Sequence, residues 1–347
     1  MQLPRQPEPL RPDNVTPPTR TPWGGGRIAW YKRQLGVALP SAVIGESWEV
    51  SVEPSFPSRL ARTGQALPDA IAADPVGWLG PSVALRFGGQ SPLLVKLLDA
   101  AENLSVQVHP AAEDTALAPD ESGKPEAWII LDATPGAGIY LGFRLGVVRA
   151  DVEDCLRAGG PLDALLNFVP VGPGDAFVVE AGTVHAVGAG VTLVEPQHVV
   201  PGKHAVTYRF WDWDRRYDAA GRADPAGAVR PLHLERAIEV TTWDAPRGAA
   251  FVDGCRVAAR VIASGGLAQT RVVETRWFAA ERWRGSGRFN RPVDTLLALV
   301  CVGGSACVTG PDGRADLACG ESAVVPAATG HIEVEGRSAD VIACWTT

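Results

Sequence analysis

The chain carries one short pattern twice, as Gly-Asp-Ala-Phe-Val-Val-Glu-Ala-Gly-Thr-Val-His at residues 174–185 and Gly-Glu-Ser-Ala-Val-Val-Pro-Ala-Ala-Thr-Gly-His at residues 320–331. The two copies align without gaps, and both end in a histidine, His185 and His331. Each copy predicts a turn, a buried strand, a tight second turn and a strand with an inward-facing histidine. A repeated unit of this kind predicts two β-rich domains in tandem.

The rest of the chain has the same β-rich texture. Its 38 glycines and 29 prolines separate short runs of Val, Leu and Ile, which is typical of a β-sandwich or jelly roll. We expect strands at residues 44–52, 93–98, 127–131, 176–179, 190–194, 296–302, 322–325 and 341–344. Helical patterns are few, and they predict accessory helices at residues 69–78, 149–157, 161–167 and 232–240.

Composition excludes some classes of function. The 347 residues are 46% hydrophobic, which is enough for one large core or two moderate ones. The net charge of −7 gives no general attraction for nucleic acid or anionic membranes. The first 14 residues lack a signal-peptide core, and no apolar run is long enough to span a bilayer. We therefore expect a cytoplasmic protein, a monomer or weak homodimer, whose partner is a small molecule and neither nucleic acid nor membrane.

A metal site is predicted by the spacing of a few polar residues. Gln107 and His109 interrupt the apolar run 104–110, and side chains two apart in a strand point to the same face. A carboxylate follows at Glu126, and His185 ends the first repeat. Imidazole nitrogen, amide oxygen and carboxylate oxygen suit zinc or another first-row divalent ion. Residues 296–309, before the second repeat, contain no His, Asp or Glu, so the second domain is expected to be metal-free.

The ends of both repeats resemble the second sequence motif of the cupin superfamily, and an ordered series of further motifs resembles type I phosphomannose isomerase. These motifs are Arg-Thr-Pro-Trp-Gly-Gly at 20–25, Gly-Glu-Ser-Trp-Glu-Val-Ser at 45–51, Leu-Val-Lys-Leu-Leu-Asp-Ala at 94–100, Leu-Ser-Val-Gln-Val-His-Pro at 104–110, Gly-Lys-Pro-Glu-Ala-Trp at 123–128, Ala-Gly-Thr-Val-His-Ala at 181–186 and Thr-Tyr-Arg-Phe-Trp-Asp-Trp-Asp-Arg at 207–215. The resemblance implies a mainly β protein with two tandem cupin-type jelly-roll domains and a few accessory helices. It places a catalytic metal-binding domain, with an N-terminal extension, at residues 1–244, and a metal-free cupin-like domain at residues 245–347.

The resemblance also implies an activity. It indicates an enzyme that interconverts mannose-6-phosphate and fructose-6-phosphate through an enediol or enediolate, with one zinc ion per chain. Gln107, His109, Glu126 and His185 occupy the positions of the family's metal ligands. Some small bacterial members resemble a three-ligand variant, in which the glutamine lies near the metal without binding it. Both ligand sets therefore stay open for Gln107.

The reaction moves a proton between two carbons and binds a phosphate, so it needs an acid or base and cations. A lysine beside a metal and another cation can have its pKa lowered toward neutrality, which makes Lys124 the candidate for proton transfer. The family often carries a histidine before this lysine, where this chain has Gly123. Arg209 matches the family's active-site arginine, as a catalytic and phosphate-binding residue. Ser105 and Lys96 are further substrate-binding candidates, Lys96 at the pocket mouth or else as a structural lysine at a strand edge.

Two other functions remain possible for a metal cupin. An iron oxygenase would need open coordination positions for oxygen and usually more than two histidine ligands. A sugar-phosphate-binding cupin without catalysis would not need Lys124 and Arg209, which this chain retains. Both alternatives are therefore ranked below the isomerase.

Overall fold

The computed structural model describes residues 5–347. None of the helices in this range combines the length and the apolar character that crossing a membrane requires. The α-helices are α1 Arg27–Gln34, α2 Leu67–Ala73, α3 Pro75–Arg86, α4 Arg149–Arg157, α5 Leu234–Val240 and α6 Ala249–Cys255.

The strands account for most of the regular structure. Up to residue 229 they are β1 Glu8–Pro9, β2 Glu46–Val50, β3 Leu93–Asp99, β4 Val106–Val108, β5 Glu121–Ser122, β6 Glu126–Ala133, β7 Gly138–Phe143, β8 Leu166–Pro170, β9 Ala176–Val179, β10 His185–Val187, β11 Val191–His198, β12 His204–Ala205, β13 Tyr208–Trp211, β14 Arg216–Tyr217 and β15 Ala228–Val229. The remaining strands are β16 Arg260–Ala263, β17 Leu267–Glu274, β18 Phe278–Val293, β19 Leu297–Gly310, β20 Gly313–Ala318, β21 Ser322–Val325 and β22 Gly330–Thr346.

Two antiparallel five-stranded sheets form the first sandwich. Their strand orders are β2-β3-β11-β6-β9 and β13-β4-β10-β7-β8. Buried side chains from both sheets, including Leu98, Trp128, Ile139 and Leu193, pack into one core between them. The other face of the first sheet packs against α2, α3 and the second half of the chain. The predicted fold class, mainly β with jelly-roll sheets and a few accessory helices, is confirmed.

The seven strands of the second half of the chain form one eight-stranded sheet together with β1. Its strand order is β1-β21-β19-β22-β18-β17-β16, with β20 paired to β19. Its own core contains Trp283, Leu299 and Val334. Because β1 pairs with β21, the N-terminal segment belongs to this sheet, although it lies far away in the sequence.

A buried ion pair connects the two halves. Lys32 Nζ in α1 lies 2.6 Å from Glu49 Oε1 in β2, and both side chains are almost completely buried. Lys32 Nζ also donates to the carbonyl oxygen of Gly320, 2.7 Å away, and Ser322 Oγ donates to Glu49 Oε2 at 2.9 Å. These bonds fasten the turn before β21 to the first sandwich.

The structure differs from the sequence-based expectation in several segments, of which three are informative. The helix expected at residues 69–78 is two helices, because Asp74 precedes a proline, which disfavours helical geometry, and instead caps α3 by accepting from Gly77 N–H. The helix expected at 161–167 is a 3₁₀ turn, Leu162–Leu165, followed by strand β8. The long strand β18 was not predicted, because its second half alternates between exposed and half-buried residues and has no apolar run.

The expected inward orientation of His331 is wrong. In β22 the side chains of Ile332 and Val334 are fully buried, so His331 lies on the opposite, exposed face. The second repeat inserts a 3₁₀ turn, Ala327–Thr329, before this strand. In the first repeat, β10 lies between β4 and β7, and His185 is completely buried.

Removing the Lys32 side chain should destabilise the protein strongly. We expect Lys32→Ala to lower the free energy of unfolding by about 3–5 kcal/mol, because it leaves the buried carboxylate of Glu49 without its partner. Arg33→Ala is the matched control, since Arg33 is exposed on the same helix, and its effect should stay within about 0.5 kcal/mol. Denaturant unfolding of both variants measures this, and equal midpoints would contradict a stabilising ion pair.

Candidate metal centre and substrate pocket

Three side chains with metal-binding atoms meet at one end of the first sandwich. His109 follows β4, His185 begins β10, and Glu126 begins β6 in the facing sheet. One ligand atom from each residue lies within 4.8 Å of the others, and all three residues are buried. The structure thus brings together three of the four predicted metal-binding residues in a geometry that can hold one ion.

Backbone carbonyls fix both imidazoles for metal binding. Nδ1 of His109 donates to the carbonyl oxygen of Val206 at 3.0 Å, and Nδ1 of His185 donates to that of Thr183 at 2.8 Å. A carbonyl can only accept, so the proton sits on Nδ1 and each Nε2 is unprotonated and carries a lone pair. Each Nε2 lies 3.4 Å from an oxygen of Glu126.

Burial keeps the histidines neutral and their partner charged. Burial, with a smaller contribution from Lys124, lowers the pKa of His109 to about 3. Burial also lowers the pKa of His185. Burial opposes the charge on Glu126, but the charge of Lys124 acts against it, and the pKa of this carboxyl lies well below its usual range. Neutral imidazoles and an ionised carboxylate are the forms that bind zinc.

Unpaired polar atoms also fit a bound cation. Nε2 of His109 and Oε1 of Glu126 are buried and have no hydrogen-bond partner. Leaving such atoms unpaired away from water costs about 1–3 kcal/mol each. A divalent ion between the three side chains would satisfy both atoms, so the donor set fits the metal that the sequence predicts.

Gln107 lies beside this cluster. In the sheet it is paired with His185 on one side and with Arg209 on the other. Its amide Nε2 lies 3.3 Å from Nε2 of His185. The two ends of an amide are assigned from their hydrogen bonds, and a rotation of the amide would present Oε1 to an ion instead. Gln107 is therefore next to the metal centre in either ligand set.

Lys124 is in the cluster, but its environment differs from the expected one. Its Nζ lies 3.2 Å from Glu126 Oε2. Burial acts to lower the pKa of Lys124, but the carboxylates of Glu126, Glu195 and Glu46 outweigh it, so the pKa is raised above its ordinary value. The protein groups alone therefore raise this pKa, because Glu195 and Glu46, which the sequence pattern did not bring near the lysine, add to the effect of Glu126.

A cavity of about 380 Å³ opens beside the metal centre. This volume lies in the range of small-molecule sites. Its lining includes every predicted site residue outside the three-residue cluster, namely Lys96, Ser105, Gln107, Lys124 and Arg209. The structure therefore brings the substrate-binding candidates together with the metal centre.

Lys96 is not at the pocket mouth, nor is it a surface lysine at a strand edge. It lies in β3, second in its sheet, and is only 6% exposed. Its Nζ lies 3.8 Å from Glu46 Oε2 and 3.7 Å from Glu195 Oε2, and 4.6 Å from the centre of the Trp48 ring. These two carboxylates balance the charge of Lys96 inside the cavity. Ser105 is also buried, with its hydroxyl 3.5 Å from Gln107 Oε1.

Sequence reasoning missed two polar residues of the site, Glu195 and Gln197 in β11. Gln197 Nε2 donates to Glu126 Oε2 at 3.0 Å and to Glu195 Oε2 at 2.5 Å, and Trp128 Nε1 donates to Glu195 Oε1 at 3.2 Å. Burial and the charge of Glu126 raise the pKa of Glu195 to about 7. Glu195 and Gln197 lie two positions apart in a strand, as Gln107 and His109 do. This spacing could have placed both side chains on one face of the sheet.

Gly123 leaves no room for a side chain. A Cβ atom at this position would lie 2.2 Å from the carbonyl oxygen of Pro110. The histidine that the family often carries here would therefore require movement of the segment that follows His109. A mechanism that uses a histidine at this position does not apply to this chain.

Comparison with known sequences identifies relatives over most of the chain. Residues 19–138 match the family model for the catalytic domain of type I phosphomannose isomerase. A mannose-6-phosphate isomerase from Streptococcus mutans is 34% identical over 292 residues, which cover 81% of each protein.

Solved structures agree with this relationship. The mannose 6-phosphate isomerase of Bacillus subtilis superimposes with a TM-score of 0.79 at 25% identity, covering 97% of this chain and 99% of that one. A mannose 6-phosphate isomerase bound with zinc and yttrium shares the fold, with a TM-score of 0.72 at 19% identity, covering 98% of this chain and 99% of that one. The chain belongs to the type I phosphomannose isomerase family.

Proposed function

We propose that the chain is a zinc-dependent mannose-6-phosphate isomerase, which interconverts mannose-6-phosphate and fructose-6-phosphate and binds one zinc ion. The observation that carries this proposal is the cluster of His109, Glu126 and His185 beside a cavity lined by cations. Membership of the family and the mannose-6-phosphate isomerases among its relatives support it. Gln107 is proposed as a fourth, neutral ligand.

The reaction passes through an enediolate, so negative charge develops on the sugar oxygens near carbons 1 and 2. A zinc ion held by the cluster would act as a Lewis acid toward these oxygens. Lys124, charged and buried against Glu126, can donate a hydrogen bond or a proton to the same oxygens. We keep Lys124 as a proton-transfer residue and add Glu195 as the candidate base, because Glu195 lines the same cavity as Lys124 and its pKa of about 7 suits proton exchange near neutrality.

The oxygenase and the inactive binding protein are not favoured. The three-residue cluster in the described part of the chain, two histidines and one carboxylate, would also fit iron, so the preference for the isomerase rests on the family relationship. Lys124 and Arg209 line the cavity in positions where they can act on a substrate. No observation supports either alternative over the isomerase.

The wider organisation of the protein is also a proposal. We propose that residues 1–244 form the catalytic domain and that residues 245–347 form a second, metal-free domain. The first of these segments contains the three-residue cluster, and the second supplies β16 to β22 of the eight-stranded sheet. We further propose a cytoplasmic monomer or weak homodimer that acts on a sugar phosphate and binds neither nucleic acid nor membrane.

The metal should be essential, and the two repeats provide an internal control. We expect chelation to abolish isomerisation and zinc to restore it, because each cluster residue contributes a ligand atom.

His185→Ala should lose activity and most of its bound zinc, measured by atomic emission. His331→Ala should keep both, since His331 is exposed, with a stability change within about 0.5 kcal/mol. Full activity of a metal-free preparation would refute the proposal.

Arg209 should matter far more than a neighbouring exposed arginine. Arg209→Ala should reduce kcat/KM for mannose-6-phosphate by roughly 100-fold or more, since removing one partner of a desolvated charge pair costs about 2–5 kcal/mol. Arg216→Ala is the control, because Arg216 is exposed and lies outside the cavity lining. Steady-state kinetics on both folded variants decides the matter, and near-normal values for Arg209→Ala would remove Arg209 from the site.

Glu195 should control the acidic limb of the pH profile. A base acts in its ionised form, and a carboxyl with a pKa of about 7 is protonated below that pH, so kcat/KM should fall as pH drops below 7. Glu195→Gln should lose that limb and on the order of 10²- to 10⁴-fold in rate. Glu113→Gln, at an exposed position, should behave as wild type. An unchanged acidic limb in Glu195→Gln would exclude Glu195 as the base.

A further inference from the structure

Three arginines converge on one buried carboxylate at the edge of the cavity. Asp212 is only 5% exposed, and its Oδ1 accepts from Arg215 Nη2 at 2.7 Å. Arg230 Nη1 lies 3.5 Å from the same oxygen without forming a hydrogen bond. Arg209 lies beside them, and its Nη1 donates to the carbonyl oxygen of Pro231 at 2.9 Å.

The charges of this group do not balance. Arg215 is satisfied by Asp212 and also by Glu102, whose Oε2 lies 3.1 Å from Arg215 Nη1. The carboxylate that faces Arg209 and Arg230 is that of Asp212, which already accepts from Arg215, so it balances only part of their charge. Arg209 Nε and Arg230 Nη1 are buried and have no hydrogen-bond partner, and burial together with Arg230 lowers the pKa of Arg209 to about 10. Two guanidinium groups held together in this way need an anion.

We propose that Arg230 binds the phosphate group of the substrate together with Arg209, an assignment that rests on the proposed function. Both arginines line the cavity that also contains Lys124 and Gln107. Arginine presents a planar fork of donors that matches phosphate oxygens, and two such forks can saturate one dianion. Arg230 is thus a substrate-binding residue that no sequence motif singled out.

The other cations of the cavity are less suited to this task. Lys96 lies between two carboxylates, and Lys124 lies against Glu126. Arg20 has its guanidinium 4.7 Å from the centre of the Trp48 ring and is exposed, so water solvates its charge. Arg209 and Arg230 therefore differ from the other cations of the cavity, because each has a buried N–H group without a hydrogen-bond partner.

Two hydrogen bonds join the segments that carry the two arginines. The backbone N–H of Arg209 donates to His233 Nδ1 at 3.2 Å, and the N–H of His233 donates to the carbonyl oxygen of Arg209 at 2.9 Å. The segment that carries Arg230 is therefore fixed to β13. Arg209 is the cross-strand partner of Gln107, and Gln107 is the partner of His185, so the backbone of Arg209 lies two strand spacings, roughly 10 Å, from that of His185. One sugar phosphate can reach both.

The test compares Arg230→Ala and Arg230→Lys with Arg222→Ala, whose arginine is exposed and outside the cavity lining. We expect Arg230→Ala to raise KM for mannose-6-phosphate and the dissociation constant of inorganic phosphate, measured by calorimetry, roughly 10- to 100-fold, with a smaller change in kcat. Arg230→Lys should recover part of this loss, because it restores charge without the fork. Arg222→Ala should match wild type, and zinc content should stay constant throughout.

Phosphate binding needs no turnover, so this measurement separates the assignment from the isomerase proposal. Phosphate binding that depends on Arg230 in a protein without isomerase activity would keep the assignment and refute the proposed function. Wild-type phosphate affinity in Arg230→Ala would overturn the assignment, as would a wild-type protein that binds no phosphate. If Arg230→Ala does not fold, Arg230→Lys decides, and an unchanged dissociation constant in that variant would also overturn it.

Discussion

The buried carboxylate of Glu126 is the constraint on which the catalytic half of the protein depends. An ionised carboxylate cannot be taken out of water unless charges and hydrogen bonds compensate it on every side. Lys124 and Gln197 provide part of this compensation, and the two histidines of the facing sheet lie 3.4 Å from its oxygens, where a bound cation would complete it. The sheets must therefore close on each other correctly before the carboxylate is stable, so folding and construction of the site are one event.

Glu126 also belongs to a row of charged and amide side chains that crosses four neighbouring strands of one sheet. Glu126 in β6 is the cross-strand partner of Gln197 in β11, and Glu195 in β11 is the partner of Lys96 in β3. Glu46 in β2 ends the row, 3.8 Å from Lys96. Acidic groups alternate with basic or amide groups along this row, so each acidic group has a basic or amide neighbour. This alternation holds the cavity wall rigid while the other face of the sheet stays apolar.

Individual residues explain how far sequence reasoning could go. Gln107, His109, Glu126 and His185 could be found, because short-range spacing and ligand chemistry are local properties. The strand bearing Glu195 was ended too early at residue 194, since Pro196 normally argues against a central strand. In the structure the pairing with β6 has no partner for Glu195 or Pro196, so the ladder tolerates the proline. The pKa of Lys124 and the exposure of His331 depend on contacts from distant segments, which no local pattern encodes.

The close contact at Gly123 has a consequence for how the site can vary. The carbonyl oxygen of Pro110 occupies the space that any side chain at position 123 would need. A designer who wished to add an acid or a base beside Lys124 would thus have to rebuild the segment after His109 as well, and so would risk moving His109, a proposed metal ligand. A side chain can therefore be introduced at position 123 only if the backbone around Pro110 changes with it.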